Sequence, residues 1–502
     1  MSVFDLLKNE DPQTNAGKVL SLSIANILNS VLNVILQMLI ARLFSKTEVA
    51  IYSQSQLVCT TAVSILQMGI PSGLYYFLVR EKGRTRAILN EGIFCVALSG
   101  MLFCIFIICG GNKLLANTFS NNELRMTLLL SIPYVLFTLF ENVVLTLLVF
   151  KNRIRFNAYY NIVKIGLVVG SLIVCSLIFG SGSILFIMRV IVSILFAIMS
   201  IYLIYKYLAP DDGSQISKTG IKSILRISVP LGFAAMAGTL SSKLDSWIVS
   251  SLLSPETFSI YNMGAYEIPF IGVITGSIMT VVTVDMNEAV KNKQYERAID
   301  IFSGVARKTS FFLIPIMVFF FVAAEDFMCF MFTASYIDAV PIFQCYLLYI
   351  PVRLVTYGPI MIALGKSKEL LKREIISLIL NATMSVVMVR LLGGIGACLS
   401  TILVTYVYSL PANIIIISRE CNVKWYRVLP FSHIFKCLLL SLPGALLAWV
   451  VNIPTILESL YLFKLILMFI VFFSVTIILF SLKFKVSIRD WLLLINIPRI
   501  LS

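Results

Sequence analysis

The stretch LSSKLDSWIVSSLLSPETFSIYNM, residues 240–263, combines two features that decide what kind of protein this is. Its first half places a lysine and an aspartate, Lys243 and Asp245, in a run of otherwise apolar and small residues. On a helix, residues two apart lie on roughly opposite faces, so the two charges do not neutralise each other. Each therefore needs a partner or water elsewhere, which is typical of a helix inside a membrane bundle.

The composition indicates a polytopic membrane protein. Of the 502 residues, 59% are hydrophobic and 13% are charged, and the mean hydropathy is +0.94; soluble domains carry about 25% charged residues. Apolar segments of about 20 residues, the length that crosses a bilayer as a helix, recur along the chain. Residues 1–18 are polar and lack signal-peptide features, so we expect the first apolar segment to be retained.

The net charge of +15 is distributed in small clusters between apolar segments. That distribution is typical of topogenic charge at a membrane surface and argues against nucleic acid as a partner. The ten cysteines are scattered, mostly within apolar segments, and no CxxC motif occurs. We therefore expect neither a disulfide framework nor a structural zinc site.

Fourteen apolar segments are predicted to be transmembrane helices. They lie near residues 19–41, 48–79, 88–110, 124–150, 157–178, 181–208, 222–252, 257–284, 309–333, 339–365, 370–392, 394–418, 431–453 and 459–482. With the N-terminus placed inside, about 30 of the 40 lysines and arginines face the cytoplasm, in agreement with the positive-inside rule. Both termini are therefore predicted to be cytoplasmic.

A weak internal repeat predicts how these helices are arranged. The second half of the opening stretch, LLSPETFSIYNM (252–263), aligns with LFSKTEVAIYSQ (43–54) at an offset of 209 residues. Each copy follows the first helix of a six-helix unit, and because six is even, the two units are parallel repeats. We therefore predict an all-α protein of two parallel six-helix lobes around a central cavity, with two additional C-terminal helices.

These boundaries divide the chain into six predicted parts. They are a cytoplasmic segment (1–18), an N-terminal lobe (19–208), a cytoplasmic linker (209–221), a C-terminal lobe (222–420), two additional transmembrane helices (421–482) and a cytoplasmic interfacial tail (483–502). No loop is long enough for a soluble catalytic domain, so function is expected among the helices.

Motifs of enzymes are missing from the sequence. It contains no P-loop, HExxH or Gly-x-Ser-x-Gly motif. The single histidine, His433, begins a predicted helix at the inner interface, where such a side chain is more often structural than catalytic. We predict a protein that is not an enzyme and has no cofactor, apart from a coupling cation such as H⁺ or Na⁺.

Charged residues within the predicted helices are the candidates for function, because each costs about 2.5–3.5 kcal/mol at mid-membrane on insertion scales. They are Glu141, Lys164, Arg189, Lys243, Asp245, Glu267 and Arg353. The alternative for each is a structural ion pair or a side chain that extends to the interface. For Glu141 and Lys164, which lie nearer the inner end, the structural alternative is favoured.

A polar stripe on the first helix indicates a second candidate surface. In NILNSVLNVILQ, Asn26, Asn29 or Ser30, Asn33 and Gln37 recur at steps of three and four and so share one face. The seventh helix carries serines and Asp245 at similar spacing. Interhelical hydrogen bonding would explain one such stripe; a stripe on the opening helix of each lobe favours a shared central cavity.

Several stretches resemble Wzx-type flippases of polysaccharide biosynthesis. They are MLIARLFSKTEVAIYSQSQLVCTTAVSILQMGIPSGLYYFL, SVPLGFAAMAGTLSSKLDSWIVSSLLSPETFSIYNMGAYEIP, ALGKSKELLK and RLLGGIGACLSTIL, in family order over residues 19–420. The superfamily also contains multidrug (MATE) exporters and lipid II flippases. The resemblance implies alternating access and transfer of an undecaprenyl-diphosphate-linked oligosaccharide to the outer leaflet of the bacterial cytoplasmic membrane, for O-antigen, capsule or exopolysaccharide assembly.

The resemblance assigns a role to one position only, Asp245, and the other roles are expected from the chemistry of the implied substrate. Because that substrate carries a diphosphate, Arg353, Arg189 and Lys243 are candidates for contacting diphosphate or acidic sugars, with Asn29, Asn33 and Gln37. Asp245, at a position where such sequences often carry an acid, joins Glu267 and Glu141 as a cavity or ion-coupling carboxylate. Expected partners are the lipid-linked glycan, the bilayer, a polysaccharide polymerase and a chain-length regulator. The alternatives are a cation-coupled multidrug exporter and a lipid II flippase, the latter weakened because the first helix has amides instead of charges.

Overall fold

The protein is described here by a computed structural model, which covers residues 15–81, 83–178, 182–209, 212, 215–452 and 461–484. This part of the chain is almost entirely helical and contains no strand. Eleven helical stretches within it are long and apolar enough to cross a membrane. The prediction of an all-α polytopic membrane protein is confirmed. The predicted N-terminal segment and interfacial tail fall almost wholly outside the described residues.

The chain divides into two compact units, Met1–Ser259 and Ile260–Ser502. The helices of the first, called unit 1, follow the first seven predicted segments closely. They are α1 (Asn15–Leu43), α2 (Lys46–Leu66), α3 (Ile70–Arg80), α4 (Thr85–Phe106), α5 (Asn112–Thr118), α6 (Leu124–Phe150), α7 (Ile154–Ile178), α8 (Gly182–Tyr207) and α9 (Lys218–Leu252). A π-helical turn, Ile107–Gly111, joins α4 to α5.

Local sequence explains where the second predicted segment begins and why it breaks. Ser45 caps α2 and forms a reciprocal capping box with Glu48, which satisfies backbone N–H groups at the helix start. The segment breaks between α2 and α3 at Gly69, whose φ of 67° favours glycine. Pro71 then lies in the first turn of α3, where its missing N–H costs nothing.

Helix α9 packs against this break with its backbone. A Cβ atom at Gly69 would lie 2.6 Å from the Gly232 nitrogen, and one at Gly232 would lie 2.4 Å from the Met68 carbonyl carbon. At the start of α9, the buried Glu91 carboxylate accepts hydrogen bonds from the Ser217 backbone N–H and hydroxyl. These contacts hold α9 against the other helices of unit 1.

The glycine contact gives a direct test. Gly232→Ala puts a methyl group into the Met68 backbone, so we expect it to lower the free energy of unfolding by about 1–3 kcal/mol. Gly238→Ala is the matched control on the same helix, since its Cβ meets nothing within 4 Å, and it should be neutral or stabilising by up to about 1 kcal/mol. Thermal unfolding of the purified protein in detergent measures both. Equal melting temperatures for the two variants would contradict the close backbone contact.

The second unit is called unit 2, and the boundary between the units falls within its first helix, α10 (Pro255–Gly264). Its other helices are α11 (Pro269–Lys291), α12 (Tyr295–Val322), α13 (Ala324–Phe332), α14 (Val340–Leu347), α15 (Gly358–Ala363), α16 (Ser367–Leu392), α17 (Gly394–Val404), α18 (Leu410–Glu420), α19 (Trp425–Val428), α20 (Phe431–Asn452) and α21 (Tyr461–Phe484). Two 3₁₀ turns, Ala334–Ala339 and Ile350–Leu354, flank α14, and a π-helical turn, Thr405–Ser409, joins α17 to α18.

Three predicted helices of unit 2 are interrupted. The segment predicted at 309–333 breaks at Ala323, between α12 and α13. The segment predicted at 257–284 is α10 and α11 with a break at Ala265–Ile268, and the one predicted at 339–365 is a series of short helical pieces. Prolines cause the last two interruptions, because Pro269, Pro351 and Pro359 lack an N–H and disfavour helix at the residue before. Ile268, before Pro269, is accordingly extended, with φ −67° and ψ 110°.

The two C-terminal helices pack on α12 through aromatic rings. The Phe319 and Phe472 ring centroids lie 5.6 Å apart, and those of Phe311 and His433 lie 4.8 Å apart. Near the start of α21, Lys464 forms an ion pair with Asp326 at 3.0 Å, and both side chains are nearly buried. Because a buried lysine without a partner is costly, this ion pair fixes the position of α21 against α13.

Candidate functional site

Two of the helix breaks of unit 2 meet at one ion pair. Glu267 lies in the non-helical link between α10 and α11, and Arg353 lies in the 3₁₀ turn between α14 and α15. The Arg353 guanidinium donates two parallel hydrogen bonds, from NH1 to Glu267 Oε2 at 2.8 Å and from NH2 to Oε1 at 2.7 Å. This bidentate geometry is the strongest that a guanidinium and a carboxylate adopt.

Tyrosines surround the pair. The Arg353 guanidinium carbon lies 4.8 Å from the centroid of the Tyr349 ring, a distance at which cation–π attraction is favourable. Tyr266, Tyr346 and Tyr349 line a cavity of about 30 Å³ together with Glu267 and Arg353. In the conformation that the structure describes, a cavity of this size holds water, and a sugar ring would reach the tyrosines only after the site opens.

Hydrogen bonds fix the tyrosine wall. The Tyr346 hydroxyl is 2.7 Å from the Tyr261 hydroxyl, and Tyr261 is almost fully buried. From the π-helical turn after α17, Tyr406 donates to the Leu348 carbonyl at 2.7 Å. That carbonyl lies where α14 ends, so the tyrosine satisfies an acceptor that the helix break would otherwise leave open.

Both side chains of the Arg353–Glu267 pair are partly exposed, so either can exchange its partner. The Glu267 side chain is 61% exposed and that of Arg353 is 38% exposed. Protein atoms leave both side chains partly uncovered, and charges inside a membrane bundle face its interior or a water-filled cavity. A pair that faces such a cavity contributes about 0–1 kcal/mol to stability, so structural support alone explains the site poorly. An accessible guanidinium can exchange its carboxylate for a phosphate or another carboxylate, and the released Glu267 can take a cation or a proton.

In unit 1, Glu141 and Lys164 form a buried structural ion pair. The Lys164 ammonium lies 2.8 and 2.7 Å from the two Glu141 oxygens, and the Tyr160 hydroxyl donates to Glu141 at 2.6 Å. Tyr160 and Glu141 are buried. This is the structural alternative that the sequence favoured for both residues.

Arg189 lies in a different environment. Its guanidinium donates to the hydroxyl of the buried Tyr52 and lies 5.8 Å from the centroid of the same ring. No carboxylate in the described part of the chain lies within salt-bridge distance of Arg189. It is therefore a positive charge held by a neutral hydroxyl, which can still bind an anion.

The opening stretch places its two charges differently. Asp245 is buried at 8% exposure, and Lys243 is half-buried. Two residues further, the Trp247 indole donates to Thr61 at 3.1 Å. The difference in burial between Asp245 and Lys243 agrees with the expectation that the two side chains lie in different surroundings.

The polar stripe of α1 is only partly satisfied. Asn33 donates to the Asn29 carbonyl at 2.8 Å, which is a bond within the helix. The Asn29 side-chain oxygen is buried and has no hydrogen-bond partner among the described residues. Gln37 is half-buried on the same face, and the Asn26 side chain lies outside the description. A buried amide oxygen without a partner costs about 1–3 kcal/mol, so the stripe has unused bonding capacity.

The sequence did not reveal two features. Asp326 and its partner Lys464 lie within the segments predicted at 309–333 and 459–482, but neither was among the candidate charges. The tyrosines around Arg353 went unnoticed because single tyrosines are common in apolar segments; the prolines near Arg353 were the available signal. No group of three or more His, Cys, Asp or Glu that could hold a metal ion occurs among the residues that the structure describes.

The fold defines the class of protein. The chain is similar to the lipid II flippase MurJ in an inward closed conformation, with 18% identity, a TM-score of 0.76, and 92% of this chain and 98% of that chain covered. It is also similar to an inward-facing multidrug resistance MATE family transporter (14% identity, TM-score 0.56, 79% and 98% covered). A MOP superfamily transporter from Pyrococcus furiosus matches at 14% identity and a TM-score of 0.54, with 84% and 99% covered.

The fold is therefore the one that these transporter and flippase structures share. By its sequence, the chain belongs to the polysaccharide biosynthesis protein family, whose model matches residues 57–341. No curated protein sequence matches the chain. The resemblance found in the sequence is confirmed.

The two ion pairs should differ in their contribution to stability. Arg353→Gln leaves an exposed carboxylate, so we expect a change in the free energy of unfolding of at most about 1 kcal/mol. Lys164→Gln leaves the buried Glu141 without its cation and should cost about 3–5 kcal/mol. Chemical or thermal unfolding in detergent compares the two variants. A larger loss for Arg353→Gln than for Lys164→Gln would show that the exposed pair is structural.

Proposed function

We propose that this protein is a flippase that moves undecaprenyl-diphosphate-linked oligosaccharide units from the cytoplasmic to the outer leaflet by alternating access. The translocated oligosaccharides would then be used for O-antigen, capsule or exopolysaccharide assembly. Family membership and the MOP superfamily fold support this class of protein. The observation that carries the proposal is the accessible Arg353–Glu267 pair, because it joins two interrupted helices and can exchange partners.

The chemistry of the pair fits this substrate. A diphosphate or an acidic sugar presents oxygens that a guanidinium binds bidentately, so substrate can compete with Glu267 for Arg353. Transporters of several folds place substrate sites at discontinuous helices. The tyrosine rings next to Arg353 supply flat amphipathic surfaces against which a sugar ring can pack. We propose that Glu267, once released, takes up the coupling cation, H⁺ or Na⁺.

Residues of unit 1 are proposed to contribute further contacts. Arg189, held by the hydroxyls of Tyr52 and Tyr134, is a second anion-binding candidate, and Lys243 is a third. The α1 amides Asn29, Asn33 and Gln37 are proposed to bind sugar hydroxyls. Of the unit 1 carboxylates, Asp245 is the stronger coupling candidate, because Glu141 already neutralises Lys164.

The cellular setting is also part of the proposal. It is the bacterial cytoplasmic membrane, with both termini in the cytoplasm, as the loop charges predict. A polysaccharide polymerase and a chain-length regulator would act on the product.

Surface polysaccharide in a strain that lacks this gene tests the site. We expect Arg353→Gln and Glu267→Gln to abolish complementation at normal protein levels, and Arg353→Lys to restore little, because lysine cannot bind bidentately. Arg390→Gln, at an exposed arginine away from the site, is the matched control and should complement fully.

The charge swap separates two explanations of that result. If the pair only holds the helix breaks together, Glu267→Arg combined with Arg353→Glu should restore polysaccharide. If Arg353 binds substrate from its own position, the swap should stay inactive. Full complementation by both single variants would overturn the site assignment.

A lipid II flippase is the second candidate, supported by the similarity in fold over 92% of the chain. Growth of a strain depleted of its own lipid II flippase tests it, and rescue by this chain would favour that substrate over surface polysaccharide. Unchanged drug susceptibility on deletion would argue against the multidrug exporter.

A further inference from the structure

Unit 2 contains a second, larger cavity near the end of α11. It lies between the last two turns of α11 and the short helix α15, and its volume is about 660 Å³. Small-molecule sites in proteins are commonly about 300–1,000 Å³. None of its lining residues belongs to the Arg353–Glu267 site.

One wall of the cavity is polar and positively charged. Thr283, Asn287 and Lys291 line it at intervals of four residues, so they share one face of α11. Lys291 is exposed, and no carboxylate in the described ranges lies within salt-bridge distance of it. The exposed Asn287 amide likewise makes no side-chain hydrogen bond within those ranges. The wall therefore presents an ammonium group and an amide N–H₂ group with free donors.

The neighbouring acidic residues lie on other parts of the helix. Glu288, three residues before Lys291, lies about 60° from it around the helix axis, but its carboxylate is beyond salt-bridge distance of Lys291 and does not line the cavity. Asp285 is rotated about 160° from Asn287 and does not line the cavity either. The C-terminal end of α11 carries partial negative charge, whose effect is typically below about 1 kcal/mol. Lys291, in the last turn, offsets it.

The other wall is apolar. Pro359 and Ile362 of α15 line it, with Val290 on the side of α11. Such a surface packs favourably against a hydrocarbon chain and offers no hydrogen-bonding group to an ion or a free sugar. A ligand that matches both walls has an anionic head and a hydrocarbon chain.

We propose that this cavity binds the head of a prenyl diphosphate lipid, with the phosphates on Lys291 and Asn287 and the first isoprene units along Pro359 and Ile362. The inference rests on the proposed function, since it assigns the carrier lipid of that substrate to a place separate from Arg353. It lies at the end of α11 that the loop charges predict to be cytoplasmic, where such a lipid would enter. The diphosphate would therefore bind here on entry, before it competes with Glu267 for Arg353.

Binding to the purified full-length protein in detergent tests the site, with soluble farnesyl diphosphate as the probe. We expect farnesyl diphosphate to bind more tightly than inorganic diphosphate, which lacks the chain, or farnesol, which lacks the head. Lys291→Gln should weaken farnesyl diphosphate binding about tenfold or more, as expected for loss of a charge-assisted hydrogen bond. Lys293→Gln removes the same charge two residues away, outside the cavity, and should leave affinity unchanged.

A second variant tests the apolar wall. Ile362→Asn should weaken binding of farnesyl diphosphate but not of inorganic diphosphate, and its exposure makes misfolding a minor concern. Equal losses from Lys291→Gln and Lys293→Gln would overturn the proposal, as would equal binding of farnesol. Tighter binding of dioleoylphosphatidylglycerol than of farnesyl diphosphate would overturn the assignment to a prenyl lipid. These outcomes concern the cavity alone, because failure of the flippase proposal is detected separately by polysaccharide complementation.

Discussion

The bidentate ion pair between Glu267 and Arg353 is the interaction on which this account depends. It joins two places where helices of unit 2 are broken, 86 residues apart in the chain. Broken helices expose backbone groups that hydrocarbon cannot satisfy, so such breaks persist only where protein or a water-filled cavity covers them. A charged pair that is accessible at such a break adds little stability but leaves two strong binding groups available for exchange.

The arrangement separates structural from functional charge. Glu141 with Lys164 and Asp326 with Lys464 are nearly buried and fully engaged, as stability requires. Arg353 instead has an exchangeable carboxylate partner, and Arg189 is held by a neutral hydroxyl. Lys291 has no carboxylate partner among the described residues. Cations of the second kind suit a diphosphate-bearing substrate, because their charge is not fully neutralised within the protein.

Sequence predicted the helices better than their interruptions. Hydropathy locates apolar segments, and segments one to seven correspond closely to α1–α9. Hydropathy does not report whether backbone hydrogen bonds are formed. The non-helical link around Glu267 and the short helical pieces around Arg353 were therefore predicted as continuous helices. Nor does sequence reveal that Gly69 and Gly232 bring α9 against the α2–α3 break, because the contact joins residues far apart in the chain. Candidate charges were found by their cost in hydrocarbon; their partners required the fold.

Direct transport tests the central claim. Purified protein is reconstituted into liposomes that carry undecaprenyl-diphosphate-linked oligosaccharide in both leaflets, and a membrane-impermeant glycosidase is added outside. In protein-free liposomes about half of the glycan should be cleaved, because transbilayer movement of a polar head is slow. Our account predicts that the wild-type protein makes nearly all of the glycan accessible within minutes. Cleavage that stops at half with folded wild-type protein present would contradict it.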